Sequence, residues 1–243
     1  YCNHIGEAKD CYLLYASWDV ERVSYGAKAV HSKDTLDVLG VTDCELCYEI
    51  VSSNKMYRSF FCQDSEGCAD SMFLYQCKGC INCFGCTKLR NKSYYIFNKP
   101  YSKEEYERKL STFAFDVGGY RVVSEIREKF AKLNMKTLRK FANLVKTENV
   151  TGDNVSNASN CHWCFDVRDE TRDGKFIVNG GMRLNNSYDG YGIGEQSELL
   201  YESVDTGANG SRFYFDIFVW GGVNVRYSYA CHGCENLFGC IGL

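Results

Sequence analysis

The sequence predicts a mainly β protein, a parallel β-solenoid with about twelve residues per turn, in two related copies with an α-helical insert between them. Three observations predict this architecture. A row of small or apolar residues recurs every twelve positions, a cysteine-rich motif occurs twice, and a capped amphipathic segment lies between its two occurrences. We therefore divide the chain into a first solenoid copy at 1–99, a helical insert and loop at 100–155, and a second, truncated copy at 156–243.

The twelve-residue period is clearest in residues 52–87, which form three consecutive blocks. Positions 2, 5, 8 and 11 of these blocks carry no charged residue and read Ser53, Met56, Ser59, Cys62, Ser65, Cys68, Ser71, Leu74, Cys77, Cys80, Cys83 and Cys86. The same frame runs back to Glu7 with one shorter turn. We assign these positions to the narrow interior of a coil, which explains why small residues fill them.

Twelve residues per turn leave room for short strands and tight corners but not for pairs of helices, so successive turns should pair as parallel strands. An antiparallel sheet with alternating residues is the alternative, but a period of two does not fit the blocks. Lys92 occupies an inward position of the next block. The coil is therefore expected to end or change within residues 88–99.

A second copy is indicated by the motif at residues 77–89, which recurs at residues 231–243. Upstream, residues 45–49 match residues 198–202. The second copy has lost several cysteines, since Cys83 aligns with Leu237 and Cys62 with Asp216. A metal cluster does not keep a leucine at a ligand position, whereas a packing position accepts cysteine or leucine. This comparison favours a packing role for the cysteines.

The insert begins with a capping box at Ser102 and Glu105, which predicts a helix through about Thr112. The pair Gly118-Gly119 should break it. A second helix is predicted from Tyr120 to about Lys146, where apolar residues recur at helical spacing: Val123, Ile126, Phe130, Leu133, Leu138, Phe141 and Val145. Residues 147–160 are rich in Asn, Thr and Ser and predict a loop.

Aromatic residues at block positions 9 and 10 predict an apolar outer face on the first copy. A bare face of this kind aggregates or binds a partner. We expect the helices of residues 102–146 to dock on it, or the face to form an interface between copies or subunits. The candidate interaction residues are Tyr48, Phe60, Phe61, Phe73, Phe84 and Phe97. The predicted partner is protein, by self-association or within a larger assembly.

The cysteine rows leave metal chemistry as an alternative. Cys77, Cys80, Cys83 and Cys86 are the candidate ligands. Their spacing departs from the bacterial ferredoxin run, in which three residues precede the fourth cysteine. Pairs such as Cys44 and Cys47 have the spacing of a zinc knuckle, so zinc is the alternative cofactor. Disulfides between stacked rows are a further alternative. We prefer no cofactor and reduced thiols in a cytoplasmic protein, buried as small apolar groups.

Composition and motifs exclude few functions. The net charge of −3 gives no general attraction to nucleic acid, and no apolar run approaches the ~20 residues of a membrane span. The chain begins without Met and ends within a motif, so we expect a fragment of a longer protein. A polysaccharide-active enzyme is the remote alternative. Its nearest candidate cluster is Asp189 and Glu195 beside Tyr188 and Tyr191.

Three stretches resemble a family of uncharacterised cysteine-rich repeat proteins from the metagenomes of small-genome bacteria. They are residues 83–106, residues 43–49 and residues 237–243. Members of that family often carry zinc-ribbon modules outside the region present here, and the resemblance implies an intracellular protein with no established activity. More typical members fill more inward positions with cysteine. On this reading the chain is a non-enzymatic structural or interaction scaffold, with a metal or redox protein as the alternative.

Overall fold

The computed structural model describes residues 1–168, 170–178, 180, 183–188, 196–204 and 209–243. The chain is mainly β and divides into two compact units, Tyr1–Leu138 and Arg139–Leu243. Within each unit, successive strands pair in parallel, so the predicted parallel solenoid with a helical segment is confirmed. In the ranges that the structure describes, no helix is long and apolar enough to cross a membrane.

The first unit contains ten strands in one sheet. They are β1 (Asn3–Lys9), β2 (Tyr12–Ala27), β3 (Val30–Leu39), β4 (Thr42–Val51), β5 (Asn54–Tyr57), β6 (Phe60–Gln63), β7 (Met72–Tyr75), β8 (Ile81–Thr87), β9 (Ser93–Ile96) and β10 (Lys99–Pro100). Paired residues are twelve positions apart from the first turn, where Asn3 pairs with Tyr15, to the last, where Ile81 pairs with Ser93. The coil ends where β10 pairs with β9 antiparallel, and Lys92 is exposed there, as expected.

The backbone turns at every third residue of the coil, where φ is positive. In one turn these corner residues are Ser52, Lys55, Arg58 and Phe61, with φ of 48°, 53°, 45° and 56°. Each directly precedes a buried residue of the inward row, so four three-residue sides close a twelve-residue turn. Among the described residues, no Val, Ile or Thr has a positive φ. This agrees with the steric cost of a β-branched side chain in the left-handed region.

The inward rows form the core of the first unit as predicted. Its buried members include Val23, Ile50, Met56, Leu74 and the cysteines from Cys62 to Cys86. Inward serines connect successive turns: the Ser65 hydroxyl donates to the Gln63 carbonyl at 3.0 Å and accepts from the Cys77 amide at 3.2 Å. Ser53 and Ser71 make the same pair of contacts. The serines are therefore small enough for the interior and also satisfy its buried backbone groups.

The insert forms two helices. Helix α1 (Lys103–Ser111) begins at the predicted capping box, in which Ser102 accepts from the Glu105 amide and the Glu105 carboxylate accepts from the Ser102 amide. Helix α2 (Phe115–Met135) is broken at Gly119, where φ is 49° and ψ is −135°. The predicted continuation of the helix to Lys146 is wrong. Leu138 and Phe141, which extended the apolar stripe, are 90% and 104% exposed, so helical spacing there reflects no buried face.

The second unit contains β11 (Leu144–Val167), β12 (Thr171–Lys175), β13 (Asn185–Tyr188), β14 (Glu198–Tyr201), β15 (Gly210–Tyr214), β16 (Trp220–Arg226) and β17 (His232–Phe238). Their order in the sheet is sequential and all pairs are parallel. Paired residues are thirteen positions apart from β11 to β15 (Ala158 pairs with Thr171) and twelve from there to β17 (Trp220 pairs with His232). Several turns of this unit thus exceed the predicted twelve residues.

The predicted loop at 147–160 is also wrong, because these residues lie in β11. Asn149, Asn154, Asn157 and Asn160 occupy corners with φ between 51° and 56°. Asparagine tolerates the left-handed region better than most residues, so the composition typical of a loop here supplies the corners of a coil. The Val155 amide donates to the Asn143 carbonyl at 3.0 Å, so coil pairing already includes Asn143.

Candidate interaction surface

Six predicted interface residues lie together on one outer face of the first unit. We call this face the unit-1 strip: Tyr48, Phe60, Phe61, Met72, Phe73, Phe84, Ile96 and Phe97. Register places these residues on adjacent strands, since Tyr48 pairs with Phe60, Phe60 with Met72 and Met72 with Phe84. Their rings form a continuous column, with centroid distances of 5.4 Å (Tyr48–Phe61), 4.6 Å (Phe61–Phe73), 5.7 Å (Phe73–Phe84) and 5.8 Å (Phe84–Phe97).

Helices α1 and α2 cover this strip, as predicted. Phe113 stacks on Phe84 with centroids 4.9 Å apart, and Phe130 lies 6.2 Å from Phe73. Ile126 is 1% exposed within the same cluster, and Tyr106 of α1 is also buried there. Phe73 and Phe84, at 1% and 0% exposed, are therefore core residues of the first unit and not free contact residues. Tyr48, Phe60, Phe61 and Phe97 are half-buried at the same face.

A polar contact fixes the edge of this docked face. The Arg127 guanidinium donates to the Glu49 carboxylate and lies 4.8 Å from the centroid of the Phe61 ring. A hydrogen bond to Glu49, together with burial, raises the pKa of Tyr48. Arg127 is not among the predicted interaction residues. It lies four residues after Val123 and three before Phe130, which both pack against the strip, and this helical spacing separates it from the solvent-facing basic residues of the same helix.

The second unit carries a similar column of rings, which we call the unit-2 strip: Tyr188, Tyr201, Phe215, Tyr227 and Phe238. Successive centroids are 6.5 Å, 5.2 Å, 4.8 Å and 5.5 Å apart. Within the described residues of this unit, no helix lies over the strip. Tyr227 and Phe238 are 56% and 73% exposed.

The four candidate metal ligands occupy the four inward positions of one turn. Cys77, Cys80, Cys83 and Cys86 are each 0% exposed. The Cys77 thiol contacts the Tyr75 and Cys86 carbonyls at 3.6 Å and 3.4 Å, and Cys83 and Cys86 contact carbonyls in the same pattern. Each of these three thiols thus lies against two backbone carbonyls. Over the described ranges, no group of three or more His, Cys, Asp or Glu is arranged to hold a metal ion.

The electrostatics of three interior thiols fit a packing role. Burial raises the pKa of Cys62 to about 12. A hydrogen bond to the Cys80 sulfur, together with burial, raises the pKa of Cys68 and of Cys77. A thiol in this state is a poor nucleophile, because the thiolate is the reactive form. These three positions therefore offer no activated cysteine. Hydrogen bonds from neighbouring thiols lower the pKa of Cys80 and of Cys86, and lower that of Cys161 to about 7.

The prediction of reduced thiols is wrong at two positions. Cys44 and Cys47 form a disulfide, with Cα atoms 6.4 Å apart. The alternative had placed disulfides between stacked rows, but these cysteines follow one another in the inward frame of a single strand, β4. Neighbouring inward positions of one strand therefore bring Cα atoms within disulfide range, as stacked positions do. The structure describes all fifteen cysteine positions, and the other thirteen are free.

A group of charged side chains lies on the outer surface of the first unit, around a cavity of about 390 Å³. Two of its carboxylates lie beside basic side chains: Glu21 is 3.6 Å from Lys9 and from Lys33, and Asp19 is 2.7 Å from His31 Nδ1. These contacts form an exposed ion-pair ladder. The remote enzyme hypothesis concerned other residues, and of these Asp189, Glu195 and Tyr191 lie outside the described residues.

Comparisons with known proteins do not assign the chain to a family. No family model matches the chain, and no curated protein matches it. Among solved structures, the chain is similar to the crystal structure of the polySia specific acetyltransferase NeuO, at 10% identity over 96% of this chain and 78% of that chain. The TM-score of this match is 0.09, a value too low for the likeness to carry an argument about fold or function.

Proposed function

We propose that this chain is a non-enzymatic scaffold that binds protein through aromatic strips on its solenoid units. The observation that carries the proposal is the contrast between two similar strips. Helices cover the unit-1 strip, where Phe73 is 1% exposed, whereas Tyr227 of the unit-2 strip is 56% exposed. Aromatic residues are enriched at protein interfaces, and a contiguous exposed apolar patch is typical of an interaction site.

The interior supports the proposal indirectly. Its cysteines and serines are occupied by packing and by backbone hydrogen bonds, which leaves the outer faces as the surfaces with unused binding capacity. Regular solenoid surfaces suit extended binding. We further propose a cytoplasmic location, which the thirteen free thiols support, and membership of the cysteine-rich repeat family that residues 83–106 resemble.

Site-specific photocrosslinking tests the proposal. A photoreactive phenylalanine analogue replaces Tyr227 in the full chain, expressed in a bacterial cytoplasm, and the matched control carries the analogue at Tyr25, 51% exposed on the first unit. We expect one discrete protein adduct from position 227 and none from position 25. Adducts of similar yield and heterogeneity at both positions would contradict a specific interaction surface. Turnover of a small molecule that survives the substitution Tyr227→Lys would contradict a purely non-enzymatic role.

A further inference from the structure

We propose that the unit-2 strip binds an amphipathic α-helix from another protein, and that this helix carries an arginine that pairs with Glu202 and lies over Phe215. The inference rests on the proposed function and names the chemistry of the partner. It follows from three steps: the equivalence of the two strips, the presence in the second unit of both groups that receive Arg127 in the first, and one charged position that the first strip lacks.

The two strips are equivalent in backbone register. In the first unit, Tyr48 pairs with Phe60 and Phe60 with Met72, and Met72 pairs with Phe84. In the second, Tyr201 pairs with Tyr214, Tyr214 with Arg226 and Arg226 with Phe238. Phe215 and Tyr227 therefore correspond to Phe61 and Phe73, and both pairs stack nearly parallel, at 13° and 14° between ring planes.

The docked helices of the first unit show what such a strip accepts. They present aromatic and aliphatic side chains to the rings and one guanidinium to the edge, where Arg127 meets Glu49 and Phe61. The second unit retains both receiving groups, because Glu202 follows Tyr201 as Glu49 follows Tyr48, and Phe215 replaces Phe61. Glu202 is exposed and within the described residues has no ion pair. A carboxylate beside a ring fits a guanidinium, which can pair with one and stack on the other.

One difference between the strips narrows the chemistry of the partner helix. Met72 in the first unit corresponds to Arg226 in the second, and the Arg226 guanidinium lies 5.4 Å from the Tyr214 centroid. The partner helix therefore carries its arginine toward Glu202 and no cation at the Arg226 end. The chain's own helices are not the occupant in the native state, since Ile126 and Phe130 already pack on the first unit.

A peptide with residues 101–138 is the probe, since it carries both docking helices with Arg127. Its binding to the full chain is measured by fluorescence anisotropy. We expect saturable binding that Glu202→Arg weakens about tenfold or more, and that Tyr227→Ala also weakens. A peptide with Arg127→Glu should bind the Glu202→Arg chain better than it binds the unmodified chain. This charge-swap rescue separates a direct pair from a folding defect, and Glu202 is exposed, so its substitution leaves the core intact.

Other outcomes would overturn the inference. Binding that responds to Glu49→Arg but not to Glu202→Arg would mean that the peptide displaces α1 and α2 from the first unit. Absence of binding, or binding insensitive to Glu202→Arg and Tyr227→Ala, would refute helix recognition. A dimer in sedimentation velocity that Tyr227→Ala dissociates would make a second copy the occupant. In each of these cases a discrete adduct from position 227 would leave the proposed scaffold function standing, so the two can fail separately.

Discussion

The substitution Ile126→Ala should release helix α2 from the first unit without unfolding the coil. Ile126 is 1% exposed between the helix and the unit-1 strip. Truncation removes three carbon atoms, worth about 2.4 kcal/mol at about 0.8 kcal/mol each, and the cavity adds about 1 kcal/mol. We therefore expect α2 to lose roughly 3 kcal/mol of local stability. Because each turn of a solenoid contacts only its neighbours, the loss should remain local.

Native-state hydrogen exchange with mass spectrometry measures this directly. A loss of roughly 3 kcal/mol corresponds to about a hundredfold faster exchange of α2 amides, while peptides from β2 and β3 should be unchanged. The matched control is Tyr120→Ala on the same helix, where the side chain is 80% exposed and exchange should not change. Unchanged exchange in α2 would refute the docking energetics. Equal acceleration in β2 would refute the independence of the coil.

Three further predictions concern the interior and the corners. Burial raises the pKa of Asp216 in the fold, so its protonated form stabilises the second unit below about pH 4, and this contribution is lost as pH rises through the folded-state pKa. The urea midpoint of the unmodified chain should therefore fall between pH 4 and 7, and Asp216→Asn should remove this fall. An unaltered dependence of the urea midpoint on pH in the variant would contradict the prediction. Unreduced, denatured protein should titrate thirteen thiols and reduced protein fifteen, with no stoichiometric metal; bound zinc or iron would reject the packing role of the cysteines. At the corner residue Asn82, with φ of 52°, Asn82→Val should cost about 1–2 kcal/mol and Asn82→Gly much less, as denaturant midpoints would report. Equal midpoints for the two variants would show that the corner imposes no steric constraint.

The sequence predicted the coil because the inward positions of the twelve-residue blocks carry no charged residue. A charged side chain in a narrow core is costly, so the rows through Ser53, Met56 and Cys77 were recognisable without coordinates. The helix start at Ser102 could also be predicted, since a capping box is a local sequence feature. The helix end was not. Leu138 and Phe141 continue the helical spacing, and only the structure reveals that their side chains are exposed.

The corner positions also follow a sequence pattern, but their asparagine-rich composition resembles that of a loop. Asn154, Asn157 and Asn160 resemble loop residues, but they recur in the three-residue frame that excludes β-branched side chains. That exclusion was present in the sequence and would have extended the second coil back to Asn154. The Arg127–Glu49 pair is different in kind. It depends on how a helix lies across a strip, and spacing alone does not determine that arrangement.

The constant register of the first unit makes its length and its cross-section independent properties. Each turn fixes its own four sides, and the amide of Gln76 bonds to the carbonyl of Gln63 in the same way that Asp64 bonds to Val51. A gene could therefore gain or lose a block of twelve codons and leave every remaining corner in phase. Loss of residues 19–30 would shorten the coil away from the docked helices, whereas loss of residues 64–75 would remove Phe73 from beneath them. Selection on length and selection on helix docking thus act on different blocks.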